Sequence, residues 1–138
     1  MPTVLRLPNW LGDGVMALPL VAHLQQHDPE LILLVRSGLE ALFPPDTRVL
    51  TFHSRMDLWR NARSLRTQGV ERMYTLPHSF SAGVALALSG ARERVAYDQG
   101  PARWFATHRV PLPPRGQEHR VQNYLRMVGP PPATPPYP

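Results

Sequence analysis

Short β-forming runs that alternate with helix-forming segments constrain this chain more than any other feature. TVLRL (3–7), LILLV (31–35), VLTF (49–52), RMYTL (72–76) and ERVAY (93–97) are rich in aliphatic, β-branched and aromatic residues. LILLV is apolar at every position, as suits a parallel strand buried on both faces. THRVP (107–111) reads as a sixth strand or an extended connection.

Between these runs lie helix signals. An apolar helix is expected at about 15–27, with an irregular first turn because Pro19 removes an amide from it. Ser37 with Glu40 forms a capping box for a short helix that ends before Pro44-Pro45. Ser54 caps a helix over about 55–67, where Leu58, Ala62 and Leu65 share a face and Gly69 follows the end. Ser79 caps an apolar helix that stops at Gly90, and Val121, Tyr124, Leu125 and Val128 mark a last amphipathic helix.

Strands alternating with helices predict right-handed βαβ units around a parallel sheet with helices on both faces. Ligands of such sheets sit outside the carboxyl ends of the strands. The functional loops are therefore expected at 8–14, 36–38, 53–55, 77–80 and 97–104.

Composition narrows the chemistry. At 138 residues the chain fits one domain, and without cysteine it has no disulfide, thiolate metal site or thiol nucleophile. Its longest apolar run is far short of the ~20 residues that span a membrane, and MPTVLRLPNW does not read as a secretory signal. A cytoplasmic location is expected, with the inner membrane face open as a peripheral surface. The net charge of +5, all of its cations arginine, favours anionic partners. The arginines are dispersed and match no nucleic-acid motif, so nucleic acid is not expected as a partner. The six histidines show no metal-ligand spacing, and no G-x-S-x-G elbow is present.

The loop after the first strand can carry chemistry. Gly12 and Gly14 would let backbone approach a ligand, and a helix start favours anions. Gly12, Gly14 and Ala17 also fit the G-x-G-x-x-G/A dinucleotide spacing, with Arg36 placed for a ribose 2′-phosphate, so an NADP-binding module is one reading. Two features oppose it. Pro8 to Leu11 separate strand and glycine, and Asp13 would face the pyrophosphate. Unit charges ~4 Å apart repel by about 1 kcal/mol in water and roughly 4 kcal/mol at a surface-like dielectric. Asp13 suits a neutral hydroxyl better, either as a base or as a simple helix cap.

LRLPNWLGDGVMALP resembles the opening motif of family 9 glycosyltransferases, the ADP-heptose:lipopolysaccharide heptosyltransferases, and most closely the heptosyltransferase II branch. The resemblance continues through TLPHSFSAGVALALSGARERVAY, THRVPLP and HRVQNYLRMV in family order. It implies one half of a GT-B enzyme, in which a Rossmann-like N-terminal domain holds the acceptor and a C-terminal domain binds the nucleotide-sugar. Transfer in that family inverts the anomeric centre without a metal, and the proposed base of its opening motif aligns with Asp13. The chain departs from the family at His78, where asparagine is common, and at Ala96, where glycine is.

The expected organisation is an acceptor-side domain over 1–128 and a proline-rich linker or tail over 129–138, with the donor domain absent. The expected function is the acceptor-binding half of an inverting heptosyltransferase, inactive alone. An NADP-binding module and a degenerate, non-catalytic glycan-binding domain are the alternatives. No cofactor is expected, and a donor such as ADP-heptose would bind only with a C-terminal domain. The partners expected are a phosphorylated glycan or glycolipid acceptor and a separate donor-domain chain.

Asp13 is the candidate base. Asn9, Trp10, Gly12, Gly14, His78, Ser79, Arg60 and Arg63 are candidate acceptor contacts. Simpler roles stand beside these: Ser79 as a cap, Trp10 buried against the domain, and Arg60, Arg63 and Arg66 as a solvated face with Asp57 paired to Arg60.

Overall fold

The protein is described here by a computed structural model covering residues 2–112 and 119–129. Among these residues, six strands form one parallel sheet: β1 (Thr3–Arg6), β2 (Ile32–Arg36), β3 (Arg48–Phe52), β4 (Arg72–Thr75), β5 (Glu93–Tyr97) and β6 (His108–Val110). Their order is β3-β2-β1-β4-β5-β6. The chain runs outward from β1 to β3, then returns to lay β4 on the free edge of β1. That reversal opens a crevice between the carboxyl ends of β1 and β4. Of the segment 107–111, His108–Val110 is thus a strand, paired in parallel with β5.

Among the described residues, five α-helices cover the sheet: α1 (Leu11–Met16), α2 (Leu18–His27), α3 (Arg55–Ser64), α4 (Phe80–Leu88) and α5 (Arg120–Leu125). The strand period of two sends alternate residues to opposite faces. Leu5, Leu33, Val35, Tyr74, Val95 and Tyr97 pack beneath Leu20, Val21, Leu24, Tyr124 and Met127 of the α2 and α5 side. Val4, Ile32, Leu34, Met73 and Ala96 pack beneath Leu58, Ala62, Leu65, Ala85 and Leu86 of the α3 and α4 side. β2 is buried on both faces, which is why its segment reads as a continuous apolar run.

The caps expected at Ser54 and Ser79 are in place. Ser54 Oγ accepts the Asp57 amide at 3.2 Å, and Ser79 Oγ accepts the Ala82 amide at 3.3 Å. Gly69 takes the left-handed conformation at φ 68° that closes the turn after α3. Ser37 makes no side-chain cap; Glu40 instead accepts the Gly38 amide at 2.8 Å, ahead of a single 3-10 turn at Glu40–Leu42.

One boundary differs in a way that matters. The first helix begins at Leu11, not near 15, so Gly12-Asp13-Gly14 are helical residues rather than a loop. The break expected from Pro19 falls at Ala17, where α1 ends and α2 begins with proline in its first turn. Except for Gly129, the segment 129–138 lies outside the described residues.

Candidate functional site

The turns after β1, β4 and β5 meet at the crevice and line a cavity of about 390 Å³. Pro8, Asn9, Trp10 and Asp13 come from the first connection; Leu76, Pro77, His78 and Ser79 come from the second. Tyr97, Gln99 and Pro101 follow from β5, and Arg120, Asn123 and Tyr124 of α5 close the remaining side.

Asp13 occupies the first turn of α1, where the helix dipole favours a carboxylate. Its carboxylate does not cap the helix: the N-cap is Trp10, which makes no side-chain cap bond. Its charged neighbour is Arg120, with Nε 4.0 Å from Oδ1, and both side chains remain partly exposed to the cavity. Trp10 is 75% exposed, so of its two sequence readings burial is the one the structure does not adopt.

His78 is held from behind. Its carbonyl accepts the Ala102 amide at 3.2 Å, and Gly100, at φ 66°, lies against it. A Cβ at position 100 would come within 2.8 Å of His78 Nδ1, so this crossing needs glycine twice over.

The sequence candidates divide into two groups. Asn9, Trp10, Asp13, His78 and Ser79 converge on the cavity. Gly12 is exposed on α1 outside its wall, and Gly14 is buried, with a Cβ there placed 3.1 Å from Leu42. Arg60 and Arg63 do not line the cavity either. They stand exposed on α3, on the opposite face of the sheet, with Arg60 3.8 Å from Asp57. Of the expected functional loops, 36–38 and 53–55 take no part in the cavity.

The sequence reading missed the contribution of α5. His119 caps that helix, Nδ1 accepting the Val121 amide at 3.1 Å. The Tyr97 hydroxyl donates to the Asn123 carbonyl at 2.7 Å, pinning α5 to the end of β5. Tyr124 is 4% exposed; burial, then the nearby Asp13 charge, push its hydroxyl up to about 12, with Arg120 opposing. It is therefore a neutral cavity wall at physiological pH.

In this fold Gly12 lies inside a helix and not at the strand-to-helix turn, so the glycine geometry of a dinucleotide site is not formed. Among the described residues, no group of three or more His, Cys, Asp or Glu side chains converges to hold a metal. Nor, among them, is any helix long and apolar enough to cross a membrane.

A curated relative, lipooligosaccharide heptosyltransferase 2 of Campylobacter jejuni, is 25% identical over 134 residues. The chain is similar to that heptosyltransferase over nearly all of its own length. That alignment covers 93% of this chain but 38% of the Campylobacter heptosyltransferase, so the chain spans about two-fifths of the curated relatives it matches. The structure of E. coli ADP-heptose lps heptosyltransferase II superposes with a TM-score of 0.75 at 22% identity, covering 93% of this chain and 40% of that one. A family 9 glycosyl transferase from Veillonella parvula superposes with a TM-score of 0.74 at 17% identity, over 92% and 40% of the two chains. These likenesses establish the fold as a half-domain of the heptosyltransferase type. No family model matches the chain.

Proposed function

We propose that the chain is the acceptor-binding half of an inverting glycosyltransferase that moves heptose from a nucleotide-sugar such as ADP-heptose onto a phosphorylated inner-core glycan. The observation that carries this reading is Asp13. It presents a carboxylate to a cavity whose other polar groups, Asn9, His78, Ser79 and Asn123, suit a polyhydroxylated ligand.

In this scheme an acceptor hydroxyl lies against Asp13. As its oxygen bonds to the anomeric carbon, the proton passes to the carboxylate. The bond from that carbon to the diphosphate breaks on the opposite side, which inverts the centre, and the nucleoside diphosphate leaves with the electron pair. Arg120 stands where it can meet an anionic substituent of the glycan. Arg60 and Arg63 contribute to the positive field that draws the acceptor in, not to its contacts. The donor nucleotide belongs to the further length that the relatives possess.

The test is calorimetric titration of the 138-residue chain with a synthetic phosphorylated inner-core heptose oligosaccharide, at low and high salt, beside a transfer assay with ADP-heptose. Weak binding that fades as salt shortens the ~8 Å physiological Debye length, without transfer, is the expected result. Absence of binding at low salt would refute the acceptor role. Transfer by the chain alone would refute its being half of an enzyme.

A further inference from the structure

Beneath the turn that carries Asn9 lies an arginine that the scheme above does not use. Arg6, the last residue of β1, is 2% exposed. Its guanidinium sits with Cζ 4.5 Å from the centre of the Phe52 ring and donates through Nη1 to the Leu7 carbonyl. Through Nη2 it donates to Asn9 Oδ1 at 2.9 Å. No carboxylate pairs with it among the described residues, and its Nε is buried with no partner. Burial, then the nearby charge of Arg36, lower the guanidinium to about 9, which leaves it charged at neutral pH.

A guanidinium has donors and no acceptor. Whatever faces it must therefore be an acceptor, which settles the direction of the Asn9 carboxamide. Its oxygen turns inward to Arg6, and its amino group is the end left for the cavity. Asp13, in the same wall, offers the converse: oxygens that can only accept when ionised.

We propose that Arg6 is a positioning residue: it fixes Asn9 as a donor beside the acceptor Asp13, so that the cavity selects a sugar hydroxyl able to meet both. A hydroxyl is the group that both donates and accepts, and a freely flipping Asn9 would blur that selection. The presence of a buried cation with no carboxylate partner among the described residues follows from this role, since stability alone would favour an apolar residue of similar volume. The proposal rests on the acceptor reading for the identity of the ligand, but the fixing of Asn9 does not.

The experiment combines side-chain amide NMR of Asn9 with titration by the same phosphorylated heptose oligosaccharide. In the native chain Asn9 should give one sharp pair of amide signals. Arg6→Met should broaden or shift that pair, and Arg6→Lys, which keeps a donor, should restore much of it. Losing the preset orientation should weaken glycan binding by about twofold, the inverse of the fraction of time a freely flipping carboxamide is correctly turned. Arg6→Met combined with Asn9→Ala should be no worse than Asn9→Ala alone. Asn9→Asp leaves Arg6 and its contact in place but presents no donor, so it should fold and lose binding.

Unchanged Asn9 signals in Arg6→Met, additive losses in the double variant, or full binding by Asn9→Asp would each overturn the proposal. If the native chain binds no glycan, the acceptor reading fails, and the response of the Asn9 signals to Arg6 still decides the positioning role.

Discussion

Arg120 Nε lies 4.0 Å from Asp13 Oδ1, joining the last described helix to the first across the mouth of the cavity. The pair is partly solvated, with about half of Arg120 and a third of Asp13 exposed, so it contributes little to stability, at most about 1 kcal/mol. Its value lies in what an incoming ligand can do with it. A hydroxyl can take Asp13 while an anionic group takes Arg120, and neither residue needs to be unburied first.

The two residues should therefore fail differently. Asp13→Asn, in the chain joined to a donor-binding half, should retain glycan affinity and lose about a hundredfold or more in turnover, the range of a general base. Arg120→Gln should weaken binding of the phosphorylated glycan and flatten its salt dependence while the melting temperature stays unchanged. Steady-state kinetics with calorimetry at two salt concentrations would separate these outcomes. Near-native turnover in Asp13→Asn would remove it from the chemistry.

Gly12 permits a cleaner separation of stability from binding. It is exposed within α1, and a Cβ there would meet nothing within 4 Å. Gly12→Ala should stabilise the protein by about 0.5–1 kcal/mol through helix propensity. Glycan affinity should not change, because Gly12 lies outside the cavity wall. A loss of affinity alongside a higher melting temperature would instead place the ligand directly over α1.

Gly100 should behave in the opposite way. Alanine there must adopt φ 66° and would press on His78, its Cβ 2.8 Å from Nδ1. Gly100→Ala should cost at least roughly 1 kcal/mol and shift the His78 ring resonances, with a fall in glycan affinity if His78 touches the ligand. A native His78 spectrum in that variant would show that the β5 turn does not hold the ring.

Much of this architecture was legible from local pattern. LILLV announced a strand buried on both faces, and it is one, next to the centre of the sheet. Ser54, Ser79 and Gly69 act as their chemistry requires, because caps depend on neighbours a turn away. The start of α1 was not legible. Gly12 and Gly14 are poor helix formers, yet Gly14 is buried where a Cβ would sit a tight 3.1 Å from Leu42, and tertiary packing overrides propensity there. The role of α5 in the cavity was hidden for a related reason. Its apolar positions showed a helix, but its place depends on the Tyr97 hydroxyl reaching Asn123, a contact between distant segments with no local signature. Exposure separated Trp10 from the buried reading, which residue type alone left open.

Tyr124 offers a test of the site's electrostatics that needs no ligand. Burial is the main cause that raises its hydroxyl from 10.0 to about 12; Asp13 adds to the rise and Arg120 opposes it. In the unfolded chain Tyr124 ionises near 10, while in the folded protein it holds its proton until about 12. The folded state therefore binds more protons across that window, and stability must fall as pH rises through it. The loss is on the order of 1–2 kcal/mol, after allowance for the hydration the cavity provides. Tyr124→Phe should remove that part of the alkaline loss and leave stability at neutral pH within about 1 kcal/mol. Denaturant melts at intervals between pH 9 and 12, compared with the native chain, would measure it. Ultraviolet titration of the phenolate, read as the difference from Tyr124→Phe, then probes the neighbours. Asp13→Asn should lower the Tyr124 transition and Arg120→Gln should raise it. If neither substitution moves it, Asp13 and Arg120 do not face Tyr124 as this cavity requires.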